Sequence, residues 1–342
     1  MRVPEQKGLL QPNGIDLARS IACFLVVLIH VAGIRFGEFG AGWWASNAFD
    51  SIARSSVTVF FMISGALLLS RNEEIGTFYK KRVLRILPPI FFWSVVYMLY
   101  FGVPGKGVFD SFLLIFNGPV ITHLWYLYVV IGLTMFVPFL GMIYRSASET
   151  EKRIFIAIWF VVTSIYPIAW DILNLQTNPV QVYGLGPFTG FMGLFFLGAY
   201  IYEHRCIRGW KWLAANAAGF IATGLLIAAL TFHYSVERKQ PVELFYAYQS
   251  ALVVIAASFL FRMAVCFPEL NGVSAKVVRF VSDCSLGIYC LHPLVLFLSM
   301  KALGVQIAIG WLPVALTTLS VFLLTAAIIW IARLAPGMKH VA

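Results

Sequence analysis

Apolar runs of about 20 residues recur along this 342-residue chain from one end to the other. As a helix, each is long enough to cross the hydrocarbon core of a bilayer, roughly 30 Å thick. Only 12% of the residues are charged and 60% are hydrophobic, whereas a soluble domain is about one quarter charged. The runs do not alternate with period two, which argues against a transmembrane β-barrel. The expected fold class is therefore an all-α polytopic membrane protein. Ten spans are expected, at about 15–34, 48–69, 86–103, 121–144, 154–171, 187–203, 213–233, 243–265, 279–300 and 309–333. The loops between them are short, so residues 1–342 read as one integral domain without internal repeats. The first apolar stretch is too long for a signal-peptide core and lacks a small-residue cleavage site, so it is expected to remain as a helix.

The formal net charge is +10. On a soluble chain that would suggest nucleic acid, but here the basic residues alternate between loops. With the N-terminus inside, 19 of the 25 Lys and Arg residues fall in inner segments. Six fall outside: Arg35, Arg54, Lys106, Arg238, Lys239 and Lys301. An N-in, C-in topology with ten crossings satisfies the positive-inside rule, and no nucleic-acid partner is expected. Of the five cysteines, none lies in an outer loop, so no disulfide is expected.

Ionisable groups inside such spans are costly and mark function. The stretch "DLARSIACFLVVLIH" holds Asp16, Arg19 and His30. Arg19 and His30 are 11 residues apart, three turns plus about 20°, and therefore share a helix face with a rise of about 16 Å. Asp16, three residues before Arg19, is placed to pair with it. The plain alternative is a snorkelling arginine and a histidine bonded to a neighbouring helix. In the second span, Arg54 sits near the outer end, as an anchor or as a binder of an anionic or polar group; Ser64 and Gly65 are small enough for close helix packing.

"FYKKRVLRILPP" reads as a basic inner loop ended by Pro88 and Pro89. Lys81 belongs to this patch, and Arg82 and Arg85 share one helical face. The guanidinium fork binds phosphate bidentately, so a nucleotide-bearing ligand on the cytoplasmic side would suit them. "HLWYLY" places His123, Trp125 and Tyr126 at the outer interface, as an aromatic belt or as the lining of a sugar site. "SDCSLGIYCLHPLVL" places Ser285, Tyr289 and His292 on one face, with Pro293 able to kink the helix and free a carbonyl. No GxSxG, HExxH or Walker motif and no zinc spacing occurs, so no metal is expected.

Taken together, these segments resemble the acyltransferase-3 family of integral membrane acyltransferases. Arg19 and His30 match its Arg/Lys-x10-His signature, "VFFMISGALLL" its second-span motif, and Arg82 and Arg85 the basic segment that follows. "HLWYLY" and "LGIYCLHPLVL" resemble later landmarks, in family order across nearly the whole chain. "RSSVTVFFMISG" is most similar to standalone O-acetyltransferases of the enterobacterial common antigen type. The resemblance implies a multi-pass protein of the bacterial cytoplasmic (inner) membrane. It also implies an acyl-CoA donor, acetyl-CoA above all, and a hydroxyl of a cell-surface glycan or lipid-linked sugar as acceptor. Envelope polysaccharide assembly proteins are then natural partners.

On this reading Arg82, Arg85 and Lys81 hold the donor phosphates, and Arg19, fixed by Asp16, guides the arm inward. His30 deprotonates the acceptor or carries the acyl group. Arg54, His123, Trp125, Tyr126, Tyr289 and His292 are candidates for substrate contact. A permease for an acyl group or small solute, and a scaffold subunit of an envelope complex, are the alternatives.

Overall fold

The computed structural model describes residues 12–37, 39–40, 42–102, 108–186, 190–206, 209–303 and 310–342. Arg2, Lys7, Lys106 and Arg208 of the charge pattern, and the first residues of the expected 187–203 span, lie outside the described residues. The helices are α1 (Pro12–Gly33), α2 (Trp43–Ala53), α3 (Ser55–Leu68), α4 (Ile75–Phe101), α5 (Val108–Asn117), α6 (Trp125–Ser146) and α7 (Glu149–Trp159). They continue with α8 (Tyr166–Ile172), α9 (Pro179–Val182), α10 (Met192–Glu203), α11 (Trp210–Arg238), α12 (Ala251–Val265), α13 (Gly272–Leu303) and α14 (Trp311–Ala332).

Among the described residues, nine helical segments are long and apolar enough to cross a membrane, α2 with α3 counting as one. A tenth apolar helix, α10, has 12 described residues, about 18 Å of rise. Helix α1 is the axis of the bundle and packs on α2, α3, α12, α13 and α14. Its residues Ala18, Ala22, Val27 and Ala32 are fully buried. The outer helices expose apolar side chains, such as Phe136, Phe139 and Ile143 on α6 and Leu312, Leu316 and Leu323 on α14. Such a surface suits lipid rather than water.

Two details differ from the sequence reading. The basic segment 78–89 is the first half of α4, not a loop. The Glu74 carboxylate caps that helix, accepting from the Gly76 and Thr77 amides at 2.8 and 2.6 Å, and these bonds hold its carboxyl below the usual range. Pro88 and Pro89 remain inside the helix, as membrane helices allow where neighbours re-satisfy the freed backbone groups. Lys80, Lys81, Arg82 and Arg85 are thereby fixed on a rigid element. The second difference is that the crossing expected at 48–69 starts earlier, at Trp43.

The backbones of α3 and α10 approach closely at two glycines. A Cβ on Gly65 would lie 2.1 Å from the Phe195 carbonyl oxygen, and one on Gly198 would lie 2.1 Å from that of Met62. This reciprocal contact leaves Ser64, one position earlier, free to face inward. Gly65→Ala or Gly198→Ala is expected to cost about 1–3 kcal/mol through overpacking, read as a lower melting temperature of the solubilised protein. Gly132→Ala, where a Cβ meets nothing within 4 Å, is expected to be neutral or mildly stabilising.

Candidate active site

One face of α1 organises the interior. Arg19, Val26, His30 and Gly33 stand at spacings of seven, four and three residues, which keeps them on one stripe of a helix. Arg19 lines one cavity, His30 and Gly33 line a second, and Val26 lines both.

The first cavity has a volume of about 320 Å³. Arg19 from α1, Arg71 just beyond α3, and Arg82 and Arg85 from α4 converge on it, and no Asp or Glu is among its lining residues. The rest of the wall is largely apolar, including Phe60, Ile63 and Leu67 of α3 and Ile86 of α4, with Ser64, Thr134 and Ser285 as hydroxyls. Arg19 is oriented by a relay rather than by one contact. Its Nη1 donates to Ser282 Oγ at 2.9 Å, and that hydroxyl donates to Asp16 Oδ1 at 2.7 Å. The direct Arg19–Asp16 separation is 3.6 Å. Arg82 lies over the Phe78 ring, and its Nε is buried without a hydrogen-bond acceptor. Lys81 is directed elsewhere: it binds Glu73 on the exposed side of α4 and does not line the cavity.

The second cavity is about 410 Å³ and is lined by His30, His123, Trp125, Asp50, Arg54, Glu243 and Tyr248 among others. Arg54 and Asp50 form a bidentate pair at 2.7 and 2.9 Å, with Asp50 wholly buried. The guanidinium also stacks over Tyr246 at 4.4 Å. The segment carrying Glu243 to Tyr248 is anchored by Thr58, whose hydroxyl donates to the Tyr248 carbonyl at 2.6 Å, and by the Tyr246 hydroxyl, which donates to the Asn47 carbonyl at 3.1 Å. Trp125 stacks with Tyr248, the ring centroids 5.5 Å apart.

Four residues, Val26, Val57, Tyr126 and Tyr289, line both cavities and form the waist between them. The Tyr126 and Tyr289 rings meet edge to face at 5.7 Å, and the Tyr289 hydroxyl donates to the His123 carbonyl. Just past the waist, three imidazoles cluster. His30 is 4.9 Å from His292 and 6.2 Å from His123, centroid to centroid, and His123 and His292 are 6.0 Å apart. Among the described residues, no three His, Cys, Asp or Glu side chains are grouped so as to hold a metal ion.

The structure thus brings Arg19, Arg82 and Arg85 to one cavity, and His30, Arg54, His123 and Trp125 to the other. Tyr126 and Tyr289 separate the two. Asp16 supports Arg19 from behind, and His292 lines none of these cavities. Sequence reasoning passed over Arg71, Asp50, Glu243 and Tyr248. Asp50 carried a signal, four residues before Arg54, the spacing of a helical ion pair. Glu243 and Tyr248 reach the site through folding over nearly 200 residues of separation, which no local spacing reveals.

An arginine-lined cavity abutting one that holds an imidazole suits transfer of a group from an anionic donor to a hydroxyl. Comparisons with known proteins point to an acyltransferase. The acyltransferase-3 family model, described as an acyltransferase domain, matches residues 13–333. The chain is 22% identical over 304 residues to the "Putative membrane-bound acyltransferase YfiQ" of Bacillus subtilis (strain 168), covering 83% of this chain and 80% of that one. It is also 34% identical over 130 residues to an amino-acid racemase of Enterococcus faecalis, but this covers only 34% of the chain and 16% of the relative. No solved structure matches. With a candidate site built on the Arg19–His30 helix and the family model spanning nearly all of its length, this multi-pass membrane protein belongs to the acyltransferase-3 family.

Proposed function

We propose that the protein transfers a short acyl group, acetyl above all, from cytoplasmic acyl-CoA to a hydroxyl of a cell-surface glycan or lipid-linked sugar. The observation that carries this reading is the cavity with four arginines and no carboxylate, sharing a wall with the cavity that holds His30. With the N-terminus inside, the arginine cavity opens on the cytoplasmic side. Its chemistry fits a donor with a polyanionic head and a thin apolar arm. Arg82, whose Nε lacks an acceptor, and the adjacent Arg71 and Arg85 provide fork-shaped phosphate binders. Ile63, Leu67 and Ile86 provide the apolar wall for the arm, with Arg19 held at its edge by Asp16 and Ser282.

The acceptor enters the second cavity, where Trp125 and Tyr248 offer an aromatic surface and Asp50 and Glu243 accept hydroxyl hydrogen bonds. His30 takes the proton from the acceptor hydroxyl as its oxygen bonds to the thioester carbonyl. The C–S bond then breaks and the same proton returns from His30 to the departing thiolate. A neutral imidazole suits this exchange at neutral pH. Tyr126 and Tyr289 keep the two compartments apart except where the thioester crosses.

Three outcomes are expected. His30→Ala that inserts normally loses about 10²–10⁴-fold in kcat, the usual worth of a general base, measured as free thiol released from acetyl-CoA in membranes containing the acceptor. A permease would release no thiol. Arg82→Gln with Arg85→Gln raises KM for acetyl-CoA about tenfold or more, each tenfold being about 1.4 kcal/mol, with kcat little changed; unchanged affinity refutes the phosphate cradle. Radiolabelled acetyl-CoA supplied without acceptor leaves the protein unlabelled if transfer is direct, and labels it at His30 if the imidazole carries the acyl group.

A further inference from the structure

His292 is a fully buried ionisable side chain beside the site: its exposure is 0% and it lines neither cavity. Its position follows from α13. Pro293 has no amide proton, so the Tyr289 carbonyl, next to that of Ile288, loses its usual helical partner. The His292 ring folds against this same turn, and its Nδ1 donates to the Ile288 carbonyl at 2.9 Å. A carbonyl can only accept, so the proton of the neutral ring resides on Nδ1. Nε2 therefore carries a lone pair, and this atom is buried with no hydrogen-bond partner. The ring nearest to it in the site belongs to His30, at 4.9 Å between centroids. That spacing accommodates one N–H···N bond of about 3 Å once the rings turn toward each other, and such bonds often close only in the reacting complex.

His123 does not offer the same support. Its Nε2 donates to the Cys290 carbonyl at 3.3 Å, a carbonyl that also receives the Tyr97 hydroxyl at 2.8 Å. Its ring is farther from His30, at 6.2 Å. It completes the pocket around the pair.

We propose that His292 is a positioning residue for His30: its Nε2 lone pair accepts the N–H of His30, fixes that ring's tautomer and holds the imidazolium that forms when the acceptor proton arrives. This rests on the transferase reading above. The proton count is unchanged, because His30 gains the acceptor proton and returns it to the thiolate while His292 keeps its Nδ1 proton throughout. The arrangement needs a neutral acceptor in a fully buried place, where an unpaired carboxylate would be expensive.

The test combines kinetics with nitrogen-15 spectroscopy. In membranes given acetyl-CoA, His292→Leu is expected to lower kcat on the order of tenfold to a hundredfold, part of the full general-base effect, with KM for acetyl-CoA unchanged. His292→Gln, whose amide oxygen can replace the lone pair, is expected to recover most of the loss. In the purified wild type, nitrogen-15 histidine spectra assigned with the His292→Gln variant are expected to show a proton on His292 Nδ1 and none on Nε2. Unchanged kcat in an active His292→Leu protein would overturn the inference, as would a Gln variant no better than Leu, or a proton on Nε2. The spectrum decides even if His292→Leu fails to fold. A wild type that releases no thiol from acetyl-CoA would overturn the transferase reading and this role with it. An active wild type alongside an unaffected His292→Leu overturns this role alone.

Discussion

The hydrocarbon core of a membrane offers no water, so each polar group carried into it must find a partner within the protein or face a cavity. The charged groups of this bundle meet that condition in two ways. Asp50 and Arg54 neutralise one another at hydrogen-bond distance, and Asp16 reaches Arg19 through a serine. Arg71, Arg82 and Arg85 gather at the edge of the bundle around one cavity, Arg82 with Glu73 at 3.9 Å on its outer side. Helix α1 makes this arrangement work, because its small residues let five neighbours close in while one stripe stays open.

That stripe was legible from the residues, since an 11-residue separation on a helix fixes both the face and the rise. The helical nature of the chain and nearly every crossing were legible for a related reason: a run of 20 apolar residues is long enough to span a bilayer and too apolar to stay in water. Arg82 and Arg85 were readable as a pair on one face, although the helix bearing them continues through two prolines that ordinarily act as a stop. The packing of neighbouring helices, not the local sequence, lets it continue.

Other features were not legible because their causes are distant in the chain. The waist joins Val26, Val57, Tyr126 and Tyr289 from four separate helices, and Tyr126 and Tyr289 each read as a candidate substrate contact, with nothing to show that they meet. His123 and His292 looked like independent acceptor contacts, whereas packing draws them into one cluster with His30. The Ser64–Gly65 pair split between two tasks. The glycine is consumed by backbone contact with α10, and the serine is turned to the cavity by that same contact.

The Asp50–Arg54 pair has an electrical consequence. A lone guanidinium at such a depth would be pulled by the resting voltage, at about 2.3 kcal/mol per elementary charge per 100 mV for a full crossing. Bound to a buried carboxylate, it moves with zero net charge, so α2 and α3 contribute almost nothing to any voltage-sensing displacement. The compartment they border is thus walled on that side by a charge-neutral pair rather than by a fixed positive charge.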